Sequence, residues 1–415
     1  MTAIEFFDRS PIDNVVSLIT IKPDKIIFIG ETSVMEKTGR IYESFIESRE
    51  LNTKVEYLPI IKNNLNNIVA VLSDIVEKED ECVFDLTGGE DLVLVAMGIV
   101  SQKYKDKNIQ MQRLNVNNGV VTDCDCDGKP EILGKPTLTV KENITLHGGK
   151  VRYKKNNDDK TFDWDMSEDF VEDLNTMWEM CRDNPGLWNT RLNVLGEADL
   201  MGENSKRLKV EYDRFELREE MKRKGDKYIS LGNFLKLLVQ KNLIYSLVDN
   251  GKSVSFTYKN EQVKKCLIKS GTVLELKVLE VANRLKNKKG ENYYSDSMNG
   301  VYIDWDGKFH EREDVEKDTE NEIDVVLMKG LVPLFISCKN GSIDDDELYK
   351  LETITNRFGG VYAKKVLIAT YLGKKQKNID YFRQRAKDMK IDLIEGVHLF
   401  SEEQLEKTIK NIITI

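Results

Sequence analysis

A lysine and several carboxylates in the last third of the chain are of the types that can hydrolyse a phosphodiester. Asp324 lies in an apolar run, and a second apolar run after a turn ends at Ser337, Cys338 and Lys339. Strand alternation places Ser337 and Lys339 on one face and Ile336 and Cys338 on the other. A charge at the end of an apolar strand is costly without a partner, so acidic partners are expected nearby.

Predicted helices on either side of this hairpin offer more carboxylates. The helix before it carries Glu275 and Glu280, and the helix after it carries Glu347 and Glu352. Carboxylates that converge beside a lysine can bind Mg²⁺ or Mn²⁺, orient a water molecule and neutralise charge on a phosphodiester. The structural alternative is an inactive α/β domain in which the lysine only forms salt bridges.

A second candidate site lies between a buried strand and a helix, at Thr87, Gly88, Gly89 and Glu90. Glycines there let the backbone approach a ligand, and the N-terminus of the following helix offers free N–H groups. The alternative is a purely structural turn. The chain contains no G-x-G-x-x-G segment, so the dinucleotide-binding fingerprint is absent.

The elements that must position this turn alternate regularly over the first 115 residues. Apolar runs predict strands at 3–7, 25–30, 54–60, 82–86 and 109–116, with helices at 11–20, 33–48, 65–77 and 91–104. This alternation indicates a parallel sheet with helices on both faces. Ligands bind such sheets outside the carboxyl ends of the strands, where Ser10, Thr32 and Thr87 are expected.

The rest of the chain divides into two more units. Helices at 168–180 and 231–241, an irregular stretch at 184–186 and a two-stranded segment at 247–258 predict either a winged helix-turn-helix or a small connector without a nucleic-acid role. The last unit has helices at 273–286, 347–358 and 378–390, and strands at 322–328, 334–339 and 365–369. We therefore expect three domains, at 1–149, 150–268 and 269–415.

Composition excludes several classes of protein. The 415 residues are 40% hydrophobic, carry 62 Lys and Arg against 71 Asp and Glu, and include three histidines and six cysteines. The few, scattered cysteines argue against a disulfide framework, and the few, scattered histidines argue against a zinc site. The absence of a long apolar run predicts that the chain has no membrane span, and the absence of a signal-like start predicts a cytoplasmic protein. A basic stretch is either a phosphate track or a solvated face. Its members are Lys364, Lys365, Lys374, Lys375, Lys377, Arg383, Arg385 and Lys387.

The glycine turn, together with the Ser10-Pro11 helix start and the Gly30-Glu31-Thr32 loop, resembles a CARF domain, the Rossmann-like sensor of cyclic oligoadenylates. The resemblance implies a dimer that holds the cyclic ligand across its two-fold axis. It implies ligand contacts from Ser10, Pro11, Thr32, Thr87, Gly88, Gly89 and Glu90. One departure is the pair Glu90-Asp91 where many members have Thr-Lys, since two acids suit a helix N-terminus but repel phosphate.

The hairpin resembles the PD-(D/E)xK nuclease fold. The resemblance implies that Asp324 binds metal, that Lys339 orients or activates the attacking water, and that Glu275 completes the ligand set. Ser337 stands where the family usually has a second acid, and some members with serine there recruit a glutamate from the next helix, which matches Glu352. The implied catalytic set is Glu275, Asp324, Ser337, Lys339 and Glu352, with Glu275, Asp324 and Glu352 as the metal ligands.

The order of the three units resembles the CARF nucleases that accompany type III CRISPR systems. This implies an α/β multidomain fold with a Rossmann-like CARF domain, a winged-helix-like connector and a restriction-endonuclease-like domain. It further implies a homodimer, activated by cyclic oligoadenylate and foremost by cyclic tetra-adenylate, that cuts DNA or RNA with Mg²⁺ or Mn²⁺. Two alternatives stay open: a transcription regulator with an inactive last domain, and an enzyme that acts on a small nucleotide such as its own activator.

Overall fold

A seven-stranded sheet forms the first unit of the computed structural model, which describes residues 1–115, 118–124, 129–153, 161–201, 207–307, 320–373 and 376–413. The strands lie in the order β3-β2-β1-β4-β5-β6-β7, with the first five parallel and the last two antiparallel. They are β1 (Thr2–Phe6), β2 (Lys25–Gly30), β3 (Lys54–Pro59), β4 (Glu81–Asp85), β5 (Asn108–Asn115), β6 (Val120–Asp123) and β7 (Ile132–Gly134). The helices are α1 (Val16–Thr20), α2 (Thr32–Ser48), α3 (Leu65–Lys78), α4 (Asp91–Lys103) and α5 (Val140–Leu146).

The predicted strand–helix alternation is confirmed in this unit, because continuous apolar runs suit strands that are covered on both faces. The predicted helix start at Ser10-Pro11 is wrong. A 3₁₀ turn spans Asp13–Val15 before α1, and the N–H of Asp13 donates to the carbonyl of Ser10. Ser10 and Pro11 therefore lie in a turn at the carboxyl end of β1, on the edge where a ligand would bind.

The middle unit has an arrangement that resembles a winged helix, which is one of the two alternatives that the sequence left open. Its three-stranded sheet has the order β10-β11-β9, and both helices of the motif lie between the first and second strands in the chain. Its elements are α6 (Glu168–Asp183), α7 (Pro185–Met201), β9 (Lys209–Asp213), α8 (Arg214–Arg223), α9 (Tyr228–Gln240), β10 (Ile244–Asp249), β11 (Ser253–Tyr258) and α10 (Glu261–Ile268). The irregular stretch predicted at 184–186 is wrong, since Pro185 opens α7 and Asn184 accepts from the N–H of Leu187.

A six-stranded sheet in the order β16-β15-β14-β13-β12-β8 organises the third unit. Strands β12, β13 and β14 are antiparallel, and β14, β15 and β16 are parallel. The elements are β8 (Lys150–Val151), α11 (Thr272–Arg284), β12 (Asp296–Asp304), β13 (Glu320–Lys329), β14 (Val332–Lys339), α12 (Asp346–Phe358), β15 (Lys364–Ala369), α13 (Gln376–Asp388), β16 (Ile391–Glu395) and α14 (Glu402–Asn411). The sequence did not predict β12, because its half-buried polar residues resemble a charged loop.

Helix α5 and strand β8 connect the first sheet to the third. The N–H of Val140 donates to Asp296 at 2.7 Å, and the side chain of Asn143 donates to the carbonyl of Phe358 at 2.8 Å. The expected boundary after residue 149 falls between these two elements and stays a prediction. Among the described residues, no helix combines the length and apolar character that crossing a membrane requires.

Candidate active site and ligand-binding edge

One oxygen of Asp324 is the centre of the candidate active site. Its Oδ2 accepts from the Ser337 hydroxyl at 3.1 Å, from the backbone N–H of Cys338 at 2.6 Å and from Lys339 Nζ at 3.4 Å. These donors stand at the end of β14, beside the strand that carries Asp324. The strand hairpin therefore brings the predicted acid and the predicted lysine into contact.

Glu275, from the first turn of α11, faces the same space. Its carboxylate is buried, and burial together with the neighbouring charge of Asp324 raises its pKa to about 8. Asn299 of β12 links the two acids, since its amide nitrogen donates to Glu275 Oε2 at 3.4 Å and to the Asp324 carbonyl at 2.9 Å. Three elements that are distant in sequence thus hold two carboxylates together.

A hard divalent cation suits this pair of carboxylates. Magnesium is typically held by one or two protein carboxylates and keeps several waters. The buried Glu275 carboxyl, whose pKa is raised by burial and by the charge of Asp324, is the electrostatic setting that such a cation relieves. Glu275 and Asp324 fit the group as a two-carboxylate site. No cluster of three or more Asp, Glu, His or Cys side chains suited to a metal occurs in the described part of the chain.

Lys339 bridges two acids. Its Nζ lies 3.4 Å from Asp324 and 3.2 Å from Glu347 Oε1, which comes from the first turn of α12. Burial lowers the pKa of Lys339, but the charges of Asp324 and Glu347 outweigh it and the net shift is upward. The amine is therefore protonated at neutral pH, which suits electrostatic stabilisation rather than proton abstraction.

Glu352 lies elsewhere. It forms an ion pair with Lys365 and accepts from the Asn356 amide at 2.9 Å. Glu347 and Glu352 are five residues apart, so they project from α12 about 140° away from each other. The helix that contributes Glu347 to Lys339 therefore directs Glu352 to a different neighbour, and the role of Glu352 as a metal ligand stays a prediction.

Sequence reasoning missed Glu322 and Lys269. Lys269 Nζ lies 2.8 Å from Glu322, which also accepts from the Tyr302 hydroxyl at 3.0 Å, and both charges act on the pKa of Glu275. The sequence does contain a signal for Glu322, because residues two apart on a strand share a face and Glu322 precedes Asp324 by two. The effect of Lys269 on Glu275 could not be predicted from the sequence, since it depends on how α11 packs against β13.

The predicted ligand-binding turn after β4 is held in place by hydrogen bonds and close contacts with its neighbours. The N–H of Thr87 donates to Asp85 at 2.7 Å, and the Thr87 hydroxyl accepts from the N–H of Leu114 at 3.0 Å. Gly89 has φ +115°, which side-chain-bearing residues rarely adopt, and a Cβ at Gly88 would lie 3.3 Å from Asp13. The backbone thus favours glycine at position 89, and a side chain at position 88 would require Asp13 to shift slightly, whether or not a ligand binds.

Other predicted ligand residues surround this turn along the same sheet edge. Ser10 follows β1, where its N–H donates to Asp8 at 2.8 Å, and Asp8 also accepts from the N–H of Gly89 at 3.4 Å. Thr32 is exposed at the start of α2, and Pro11 lies beside Ser10. Glu90 forms an ion pair with Lys62, so the repulsion that this acid would exert on phosphate is reduced.

A cluster of buried polar side chains lies next to the glycine turn, at the end of β4. Ser17 donates to Asp85 at 2.8 Å, and the Gln112 amide donates to both of them at 2.7 and 2.8 Å. The N–H of Ser17 donates to Glu5, and burial raises the pKa of both Glu5 and Asp85. The sequence predicted only apolar strands here, so this cluster is a feature that the tertiary structure reveals.

Comparison with known proteins finds one matching family model and similar solved structures. Residues 275–411 match the family model of the Card1-like endonuclease domain. VC1899 from Vibrio cholerae has a similar structure, with a TM-score of 0.74, 19% identity and coverage of 100% of this chain and 98% of that chain. Can2 from Sulfobacillus thermosulfidooxidans, solved in complex with cyclic tetra-adenylate, has a TM-score of 0.63, 18% identity and coverage of 99% and 97%. No curated protein matches at the level of sequence.

The chain shares the fold of Can2, and its last third matches the endonuclease domain. This confirms the predicted resemblance and the predicted α/β multidomain fold. Within the CARF nuclease fold, Asp324, Lys339 and Glu347 lie inside the region matched to the endonuclease domain, and Glu275 is its first residue. The glycine turn lies in the seven-stranded sheet of the first unit, outside that region.

Proposed function

We propose that this protein is a metal-dependent endonuclease of type III CRISPR defence that cyclic oligoadenylate activates, with cyclic tetra-adenylate as the first ligand to test. The observation that carries the proposal is the convergence of Asp324, Glu275 and Lys339 within a Card1-like endonuclease domain. Can2, whose structure contains cyclic tetra-adenylate, shares the fold over nearly the whole chain and supports the choice of activator. The substrate is DNA, RNA or both, and the working unit is a homodimer.

Asp324 and Glu275 would hold Mg²⁺ or Mn²⁺, which supplies Lewis-acid stabilisation and a more acidic water when bound. The protein's own contribution is positioning. The Cys338 N–H, at 2.6 Å, fixes the Asp324 carboxylate, and Asn299 fixes its backbone relative to Glu275. Lys339 stays protonated and stabilises the negative charge that develops on the phosphate in the transition state.

Glu347 takes the place of the acid that β14 lacks at Ser337. It contacts Lys339 at 3.2 Å, whereas Glu352 is engaged with Lys365 on another side of α12. The resemblance to the PD-(D/E)xK fold implied Glu352 for this role, from its spacing after Lys339. The ion pairs favour Glu347 as the acid that orients Lys339 and the attacking water.

The test is a cleavage assay with Mg²⁺ or Mn²⁺, on single- and double-stranded DNA and RNA, with and without cyclic oligoadenylates of several ring sizes. We expect cleavage only with metal and activator, a loss of at least a hundredfold in Asp324→Asn, and a loss of at least tenfold in Glu347→Gln. Glu352→Gln is the matched control on the same helix and should retain activity. Full activity in Glu347→Gln together with a large loss in Glu352→Gln would return the role to Glu352.

The regulator alternative depends on the winged-helix-like unit reading DNA. Helix α9, which occupies the place of a recognition helix, contains a single lysine, and several of its residues are apolar. A helix that enters the major groove normally brings several cationic and polar side chains to phosphates and base edges. This composition favours a connecting role. Sequence-specific duplex binding with no cleavage under any metal would instead support the regulator.

A further inference from the structure

A cleft of about 2140 Å³ lies between the sensor sheet and the nuclease sheet. The sensor contributes residues that follow β1 and residues of α2, including Arg9 and Lys37. The nuclease contributes Lys364 from β15, Lys387 from the end of α13 and Lys390 from the turn before β16. Eight cationic and four acidic side chains line it, although the whole chain has a formal charge of −9. The cleft therefore concentrates positive charge in an acidic protein.

Five of these cations form no ion pair with any residue that the structure describes. Lys365 pairs with Glu352, Arg383 pairs with Glu395 at 2.7 Å, and Arg357 donates to a backbone carbonyl at 2.7 Å. The five without an ion pair to the described residues are Arg9, Lys37, Lys364, Lys387 and Lys390. In the basic stretch noted in the sequence, Lys365, Arg383 and Arg385 form ion pairs with described residues, whereas Lys364 and Lys387 do not. The side chains of Lys374, Lys375 and Lys377 lie outside the described part of the chain.

The cleft lysines of the nuclease unit lie at the end of its sheet that is opposite the active site, too far away to contact the scissile phosphate. Lys364 pairs in register with Leu334, and Ala369 pairs with Lys339. Five residues along a strand span about 17 Å, so Lys364 and the active-site lysine stand at opposite ends of the sheet. The cleft adjoins the sensor turn instead, since Asp8 lines the cleft and accepts from the N–H of Gly89.

We propose that the cleft binds phosphate groups of the activator, with Lys364, Lys387 and Lys390 contacting them from the nuclease side and Arg9 and Lys37 from the sensor side. The inference rests on the proposed activation by cyclic oligoadenylate. It adds the cations for the ligand phosphates that the sensor alone lacks. The glycine turn is followed by the acids Glu90 and Asp91, so phosphates require cations from elsewhere. A ligand held by both units can favour one arrangement of sensor and nuclease, because its contacts change when the units move.

The cleft also contains carboxylates that shape the ligand it can accept. Asp8, Asp306, Asp392 and Glu395 line it, and of these Glu395 is paired with Arg383 and Asp8 accepts backbone N–H groups. Ribose hydroxyls and adenine amino groups can donate to such acids, whereas inorganic polyphosphate offers only acceptors at neutral pH. This mixture suits a short oligoribonucleotide.

The test compares two triple variants of the full-length protein. The first changes Lys364, Lys387 and Lys390 to Gln; the second makes the same charge change at Lys105, Lys236 and Lys407, which are exposed and do not line the cleft. We expect the first to raise the concentration of cyclic tetra-adenylate at half-maximal cleavage at least tenfold, with the substrate KM and the rate at saturating activator unchanged. The control should match the wild type.

Two outcomes would overturn the proposal: an unchanged activator requirement in the first variant, or a raised substrate KM in its place, which would make the cleft a substrate groove. Failure of the wild type to respond to any cyclic oligoadenylate would instead overturn the proposed function. Arg9→Gln with Lys37→Gln is a second variant on the sensor side, and it keeps the test valid if the first triple variant misfolds. Calorimetry with cyclic tetra-adenylate at several salt concentrations should show a shallower salt dependence in both cleft variants.

Discussion

At the scale of single residues, Asp324 is held by more than one donor, and the donors differ in what they contribute. The backbone N–H of Cys338 is the shortest contact, and it does not depend on a side chain. The Ser337 hydroxyl and Lys339 lie farther from the carboxylate oxygen. The position of Asp324 should therefore survive loss of the hydroxyl, whereas the charge of Lys339 cannot be replaced by the backbone.

Ser337→Ala should lower the cleavage rate by no more than about fivefold, the equivalent of one net hydrogen bond of about 1 kcal/mol. Lys339→Ala should lower it at least a hundredfold, because a positive charge beside the phosphate is lost. Both rates are measured at saturating activator and metal, with circular dichroism to verify folding. Equal losses in the two variants would mean that Ser337 takes part in the chemistry.

Asp13 makes stability depend on pH. Burial raises its pKa to about 6, with hydrogen bonding from Ser10 opposing the shift. Because the folded-state pKa is above the unfolded value, ionisation of Asp13 opposes folding above about pH 4, and the full cost is present above about pH 6. Asp13→Asn should therefore gain stability relative to the wild type as pH rises from 4 to 7, by at most about 3 kcal/mol.

Urea unfolding at several pH values measures this gain. Asp74→Asn is a suitable control, since the Asp74 side chain is 61% exposed on α3. A stability difference between Asp13→Asn and the wild type that stays constant from pH 4 to 7 would contradict the assignment.

At the scale of elements, the turn between β4 and α4 has little room for side chains. A Cβ at Gly88 would lie 3.3 Å from Asp13 and 3.4 Å from Asp8, two residues at the predicted ligand edge. A Cβ at Gly98, within α4, would have no described atom within 4 Å beyond its own helix backbone, so Gly98 is the matched control. The two glycines therefore separate the effect of the turn from the effect of a larger side chain in this region.

Gly88→Val should weaken binding of cyclic oligoadenylate at least tenfold, or about 1.4 kcal/mol, because the side chain displaces Asp8 and Asp13 and blocks approach of the backbone. Gly98→Val should bind normally. Isothermal titration calorimetry with the full chain gives both affinities. Unchanged affinity in Gly88→Val would remove the turn from the ligand site.

At the scale of the whole molecule, the first and third units share one hydrophobic cluster. Val140, Ile144 and Leu146 of α5 are buried in the same cluster as Val301 and Ile323 of the nuclease sheet. Hydrogen bonds from α5 to Asp296 and Phe358 reinforce this packing. The apolar face of α5 thus needs the third unit to cover it.

A fragment of residues 1–149 should therefore expose apolar surface and bind a hydrophobic dye, whereas a fragment of residues 1–136, which lacks α5, should bind much less. Burial of these three side chains contributes several kcal/mol in the full chain. Dye fluorescence and thermal unfolding of the two fragments measure the difference. Equal dye binding would show that α5 finds another cover within the sensor.

The sequence by itself determined the elements whose signal is local. Continuous apolar runs predicted β1 to β5, and the strand–turn–helix pattern located the turn at Gly88 and Gly89. The spacing of Asp324 and Lys339 on a hairpin predicted their meeting, because strand alternation and a short turn leave few arrangements open. The resemblance to a CARF nuclease, drawn from those residues, is confirmed at the level of fold and of the endonuclease domain.

Only the tertiary structure decided which acids meet the lysine and what surrounds them. Glu347 and Glu352 are equivalent in a linear pattern, but the rotation of α12 against β14 brings Glu347 to Lys339 and Glu352 to Lys365. The cleft between the first and third units depends likewise on how α5 and β8 join the two sheets. The contacts that join the two sheets link segments 156 residues apart, and the packing that sets them leaves no periodic pattern in the sequence.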